Sequence, residues 1–317
     1  MVDAEKMAKS KGNFLMLLES VNEFSADATR FALADAGDSL EDANFDRSVA
    51  NQAVTYLFNE EEWCKAILED EKAGTLREGD YTFADRAFDN EMDFLIEATQ
   101  TEFVRMCYRE GIHRCWFDLT IARDMYRDWS ARCNIPMHKT VLRRFMKSLV
   151  LMISPICPHW SENLWGLLGE TGSVMSASWP IFVPYNKLVR KEYIFFRDFL
   201  KNIRLAFLKV KLPAVGKRCV NIYLSSVYEP KKVAMLQFLQ SLCDKSGEFP
   251  GDLMQRMKDF VEGEPAFKKD TKVLMQFGAF MRDEAKDRGP DALAVELPFD
   301  QKAILEVVSH ALLLLHH

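Results

Sequence analysis

Between residues 139 and 153 the apolar side chains Val141, Leu142, Phe145, Met146, Leu149, Met152 and Ile153 recur at helical intervals, and Arg143, Arg144 and Lys147 occupy the opposite positions. This period predicts an amphipathic helix with one buried stripe and a basic outer face. Similar patterning predicts helices over 46–72, 83–110 and 112–133. Pro155 and Pro158 in "SPICPHW" then break the pattern and restart it as a shorter helix, because proline lacks an amide proton and clashes with the preceding turn. Amphipathic helices on short connections must bury their stripes against each other, so residues 46–185 are expected to form a helical bundle. Ahead of it, residues 1–45 read as a loop, one helix and a second loop. The helix is "ADATRFALADA", with Ser25 as its cap, Asp27 in its first turn and Gly37 near its end.

Beyond "SASWPIFVPYN" the pattern changes, and residues 186–317 are expected to form a small α+β domain. Helices are predicted over 193–209, 230–245, 253–261 and 271–287. Val220, Ile222 and Leu224 in "KRCVNIYLSS" alternate as in a half-buried strand, and "ALAVELPF" is a second alternating stretch.

Composition narrows the class. With 48% hydrophobic and 28% charged residues, the 317-residue chain has the make-up of a globular protein of two ordinary domains. No apolar run approaches the roughly 20 residues that span a bilayer, and Asp3, Glu5, Lys6 and Lys9 interrupt any leader-like start. A cytoplasmic protein without a membrane partner is expected. The seven cysteines are scattered and form no C-x-x-C pair, so neither a structural metal nor a dithiol site is expected. The net charge of −6 conceals a basic block: residues 187–232 hold 12 Lys/Arg against 3 Asp/Glu. Such a block on an otherwise acidic body suggests one polyanion-facing surface, and a lysine-rich solvated face would give the same count.

The candidate chemistry sits at the other end. In "EKMAKSKGNF" two lysines three apart, Lys6 and Lys9, could close over a triphosphate and offset charge on a departing pyrophosphate. Ser10 and Asn13 could add hydrogen bonds, and Gly12 lets the backbone approach closely. The loop is not a Walker loop, because G-x-x-x-x-G-K is absent.

"KMAKSKGNF" followed by "EFSADATRFALADAGDSLEDANFD" resembles the signature loop and following segment of class I aminoacyl-tRNA synthetases, and within them the cytosolic eukaryotic leucyl-tRNA synthetases. "YTFADRAFDNEM", "FDLTIARDMYRDW" and "LRRFMKSLVLMISPICPHWSENLWGLLG" resemble successive helices of the family's anticodon-binding bundle. The resemblance implies a mainly α, class Ia bundle followed by the small α+β domain, with residues 1–45 as signature loop and stem-contact-like segment. It places the family's K-M-S-K-S motif on Lys6, Met7, Ala8, Lys9 and Ser10, where the lysines would steady ATP phosphates while leucine's carboxylate attacks the α-phosphorus. Position 8 is alanine where the family has serine, which removes a hydroxyl able to cap or brace the loop. No H-x-G-H occurs in the chain, so ATP, with Mg2+, and leucine are expected to bind only in a complete enzyme, and these residues are expected not to aminoacylate tRNA unaided. The family domain is also expected to continue past residue 317.

What the resemblance leaves to this chain is leucine tRNA. Lys187, Arg190, Lys191, Lys217 and Arg218 of the basic block are candidate phosphate contacts, as are Arg143, Arg144 and Lys147. Trp160 and Trp165 are expected to be core anchors rather than stacking platforms. Two other readings fit the same residues: a non-catalytic RNA-binding or scaffold module, as in a multi-synthetase complex, and part of an isoleucyl- or valyl-tRNA synthetase.

Overall fold

The computed structural model describes residues 1–37, 44–209, 225 and 227–297. The chain divides into two compact units, Met1–Asp198 and Phe199–His317.

In the first unit, α1 (Leu17–Phe24) and α2 (Ala26–Asp35) meet at Ser25, whose positive φ of 77° turns the chain and whose hydroxyl accepts from Ala28 N to cap α2. The sequence reading held one helix here. α1 is an addition to it: eight residues long, it buries Ser20 and Phe24 and leaves Met16, Leu17 and Leu18 to solvent. α3 (Arg47–Ala73) begins on an Asp46 cap and ends at Gly74, in the left-handed conformation that glycine adopts without strain.

α4 (Phe83–Val104) stops short of the expected 110. Met106 takes a left-handed turn (φ 61°), and Cys107 N donates to the Glu102 carbonyl at 2.9 Å, a helix-ending pattern. Gly111, just beyond, serves close packing: a Cβ there would lie 2.0 Å from the Phe103 ring. The chain then runs as α5 (Tyr108–Ile112), a π-helical turn over His113–Asp118, and α6 (Leu119–Cys133). α7 (Lys139–Ile153) has the expected bounds and occupies the centre, with Val141, Leu142, Phe145, Met146, Leu149, Val150, Met152 and Ile153 all fully buried. α8 (Pro158–Leu167) packs on α7, α2 and α3, and places Trp160 and Trp165 in the core.

Two buried charge clusters tie these helices together. Asp85 closes the capping box of α4 with Thr82, and also accepts from Arg77 and from the Tyr126 hydroxyl of α6. Tyr126 in turn accepts from His138 N, at the start of α7. Burial by itself would raise the Asp85 pKa, but these hydrogen bonds outweigh it and hold the carboxyl below its ordinary range. Between α3 and α6, Glu60 pairs with Arg123 at 2.7 Å, with both side chains buried and the guanidinium over the Trp63 ring. Here burial prevails and raises the Glu60 pKa.

α9 (Lys187–Lys209) starts six residues before the expected 193, because Asn186 caps it: its side chain accepts from Leu188 N and Val189 N. Asn186 also exchanges backbone and side-chain hydrogen bonds with Asn90 of α4.

The second unit holds α10 (Pro230–Leu242), α11 (Leu253–Gly263) and α12 (Thr271–Arg288). They bury Met235, Leu236, Leu239, Met257, Leu274 and Met281, with Phe238 stacked on Phe260. The expected β component is not seen: among the described residues only isolated bridges form, and no strand. The alternating stretch at 220–224 lies outside the described residues. The first two residues of "ALAVELPF", Ala292 and Leu293, instead end a 3-10 turn over Pro290–Leu293 and are buried on consecutive positions; its last two lie outside the described residues. The described fold is mainly α.

Candidate functional site

The lysine loop is clamped at its base to the entry of α3. Val2 and Glu5 exchange two backbone hydrogen bonds of 2.9 Å, Asp3 N donates to the Phe45 carbonyl, and Phe45 N donates back to that of Met1. Asp3 and Ala4 both take left-handed φ (48° and 65°), a costly conformation held by Ala4 N donating to Asn44 Oδ1 and by Asp3 Oδ1 accepting from Arg47 N. From this base the chain rises through Lys6 and Met7 into a 3-10 turn over Lys9–Lys11, closed by Lys11 N donating to the Ala8 carbonyl at 3.0 Å.

Lys6 and Ser10 are exposed at the loop, and Lys9 opens the turn. No ion pair occupies the Lys6 ammonium among the described residues. The loop can therefore present cationic charge to an anion, but only from one side. Asn13 behaves otherwise than expected. Its amide turns back into the loop, accepting from Ala8 N at 2.9 Å and donating to the Lys6 carbonyl at 3.0 Å and to Glu5 Oε2 at 3.2 Å. Next to the loop, Phe14, Met16, Leu17 and Leu18 form a contiguous exposed apolar strip, Leu17 being 75% exposed.

Each of the described basic candidates, Lys187 and Lys191 included, has an interaction of its own in the structure. Arg143 donates to Glu71 and to the Leu168 carbonyl, joining α7 to the end of α3. Arg144 forks onto Asp89 and Asp93 of α4. Lys147 pairs with Glu170 at 2.9 Å and lies over the Trp165 ring. Arg190 pairs with Glu91 and sits 3.4 Å from the centroid of the Phe94 ring. These four cations pair with carboxylates of the protein itself. A groove of about 460 Å3 beside Lys147, walled by Leu151, Trp165 and Trp179, is largely apolar and its rim cation is already neutralised by Glu170. It is poorly suited to phosphate. Lys187 is exposed and Lys191 half-buried, one helical turn apart at the start of α9. Lys217 and Arg218 lie outside the described residues.

Sequence reasoning missed one connection between the two regions of this unit. Asp27 of α2, read as a first-turn acid, is buried and caps α8 from outside: its carboxylate accepts from Trp160 N at 2.7 Å and meets His159 Nδ1 at 3.0 Å. Its partner Arg30 donates to the Ile156 carbonyl at 2.8 Å. The signal present was the pair of prolines at 155 and 158, which leave the start of α8 in need of a cap. Among the described residues no group of three or more His, Cys, Asp or Glu could hold a metal ion, and no helix is long and apolar enough to cross a membrane.

The pattern of helices has counterparts among known proteins. The anticodon-binding domain of tRNA ligase matches residues 85–211. Cytoplasmic leucine–tRNA ligase of Pongo abelii is 32% identical over 96% of this chain and 26% of its own length. That of Arabidopsis thaliana is 33% identical over 96% of this chain and 30% of its own, and that of Saccharomyces cerevisiae 39% identical over 69% and 19%. A solved ternary LeuRS–tRNA–LeuAMS complex from Agrobacterium radiobacter is similar over 60% of this chain and 24% of that one, with a TM-score of 0.47 and 22% identity. This chain thus spans between 19% and 30% of the length of these relatives.

Proposed function

This chain is homologous to the cytoplasmic leucyl-tRNA synthetases across their anticodon-binding region, and from that premise we propose that it binds leucine tRNA as the tRNA-facing portion of such a ligase, in the cytoplasm. The observation that carries the proposal is the match of residues 85–211, which run from the third residue of α4 through α9, to the anticodon-binding domain. In this reading the helical first unit packs against folded RNA by shape, and phosphate contacts come from the basic block. Lys187 and Lys191, with Lys217 and Arg218, are the proposed phosphate ligands. Arg143, Arg144, Lys147 and Arg190, which also pair with carboxylates of the protein, remain candidates for further phosphate contacts.

Lys6, Lys9 and Ser10 are the proposed contribution to leucine activation. The loop supplies positive charge to the ATP phosphates, and the groups that hold adenine and leucine belong to a nucleotide-binding body that these 317 residues do not include, since no H-x-G-H occurs in them. The exposed strip from Phe14 to Leu18 fits the face such a body would cover. Aminoacylation and any tie to a multi-synthetase complex are properties of that larger assembly.

A filter-binding titration with leucine tRNA tests the reading. Affinity should fall log-linearly with salt, by about 0.7–0.9 log units per log unit of salt for each phosphate neutralised. No binding at low salt, or binding indifferent to salt, would overturn it. Preference for isoleucine or valine tRNA would reassign the ligase.

A further inference from the structure

The alanine at position 8 raises the question of what fixes a lysine loop that lacks the usual hydroxyl there. The structure answers at the backbone. The amide of residue 8, not its side chain, is the gripped group: Ala8 N donates to Asn13 Oδ1 at 2.9 Å. The other end of the same Asn13 amide donates to the Lys6 carbonyl at 3.0 Å and to Glu5 Oε2 at 3.2 Å. One planar side chain thus spans the loop at residues 5, 6 and 8, on both sides of Met7. Gly12, with φ of 65°, makes the left-handed bend that brings residue 13 back under the turn, and nothing lies within 4 Å of the Cβ it lacks. The bend is demanded by backbone conformation, not by crowding.

We propose that Asn13 is a positioning residue of the lysine loop, and that because it holds the peptide of residue 8 the alanine there leaves the loop as ordered as a serine would. The proposal rests on the reading of residues 6–10 as a phosphate-facing loop. Asn13 touches no substrate in this scheme. Its work is to keep the Lys6 and Lys9 backbones at a fixed spacing before any anion arrives, so that less ordering entropy is lost on closure. The side chain suits this task chemically. An aspartate could accept from Ala8 N but could not donate to the Lys6 carbonyl, and it would set a second carboxylate against Glu5. A glutamine has the same head on a longer stem and would overreach a loop already closed by the 3-10 hydrogen bond from Lys11 N to the Ala8 carbonyl.

Backbone amide relaxation on the whole chain, without nucleotide, tests the brace. In Asn13→Ala the heteronuclear NOEs of residues 6–11 should drop toward those of a free loop, while residues 2–5 and 45–47 at the clamped base keep theirs. Asn13→Asp should show the same loss at neutral pH, and Ala8→Ser should leave the values unchanged. Unaltered loop order in Asn13→Ala, or a clear gain of order in Ala8→Ser, would overturn the proposal. A separate titration of the wild type with inorganic triphosphate and Mg2+ reads the amide shifts of Lys6, Lys9 and Ser10. It tests the phosphate reading of the loop, so the two ideas can fail independently.

Discussion

Asp85 is the residue on which three helices depend, and its ionised form is the one the fold uses. It is buried, it caps α4, and it receives Arg77 and Tyr126 from outside that helix. Its folded pKa is lowered. The stability it confers is therefore present above the ordinary Asp pKa of about 3.9 and is lost as pH falls through the lower folded value. Asp85→Asn should cost ~2 kcal/mol in urea denaturation at pH 7 and progressively less below about pH 4. An equal cost at both pH values would show that shape rather than charge is what matters there. Glu60→Ala removes the buried partner of Arg123 and leaves it only the exposed Asp124, and should cost about 2–3 kcal/mol. Phe145, fully buried in α7 between the Trp63 and Phe88 rings, should cost about 3–5 kcal/mol when cut to alanine. A loss below roughly 0.5 kcal/mol would mean that α7 is rotated from its described position.

Among the elements, α8 is the one whose stability is borrowed. It is ten residues long, starts at Pro158 after a proline-broken turn, and has no cap from its own preceding residue. Asp27 provides the missing acceptor from α2, across 133 positions of sequence. Asp27→Ala should cost about 1–2 kcal/mol, and the loss should appear first as faster amide exchange at Trp160 and Ser161, ahead of global unfolding. If exchange rises uniformly along the unit instead, α8 has no separate dependence on that carboxylate. α5 and α6 show a different case: the spacing predicts one helix over 112–133, and the structure starts the run at Tyr108 and puts a π-helical turn inside it. The π-helical turn over His113–Asp118 is invisible to a period of 3.6 residues, and it lets Trp116 and Phe117 both face the Phe31 ring.

For the whole molecule, the two proposed activities separate cleanly. Lys9→Ala should leave folding and leucine-tRNA affinity unchanged. Substituting Lys187 and Lys191 together by alanine should weaken binding to every tRNA alike and make the salt slope shallower by about 1–2. Retention of the full slope would move the phosphate contacts elsewhere in the basic block. The helical body was legible from the chain because burial in a bundle imposes a local period: α7 could be placed to the residue from its apolar spacing alone, and the lysine loop from a short motif. Local patterning fails where the deciding group is remote in sequence. Arg143, Arg144 and Lys147 look like an open basic face on the helix, yet they pair with Glu71, Asp93 and Glu170, at separations of 72, 51 and 23 positions. "ALAVELPF" alternates like a strand, but a strand needs a neighbour, and the packing of Leu293 holds its first two residues in a turn. The sequence by itself determined most of the helices and the charge asymmetry, since each is a property of neighbouring residues. Only the tertiary structure decided which cations meet carboxylates and that Asn13 grips the peptide of residue 8, because those choices depend on which atoms the packed helices and turns bring within hydrogen-bonding distance.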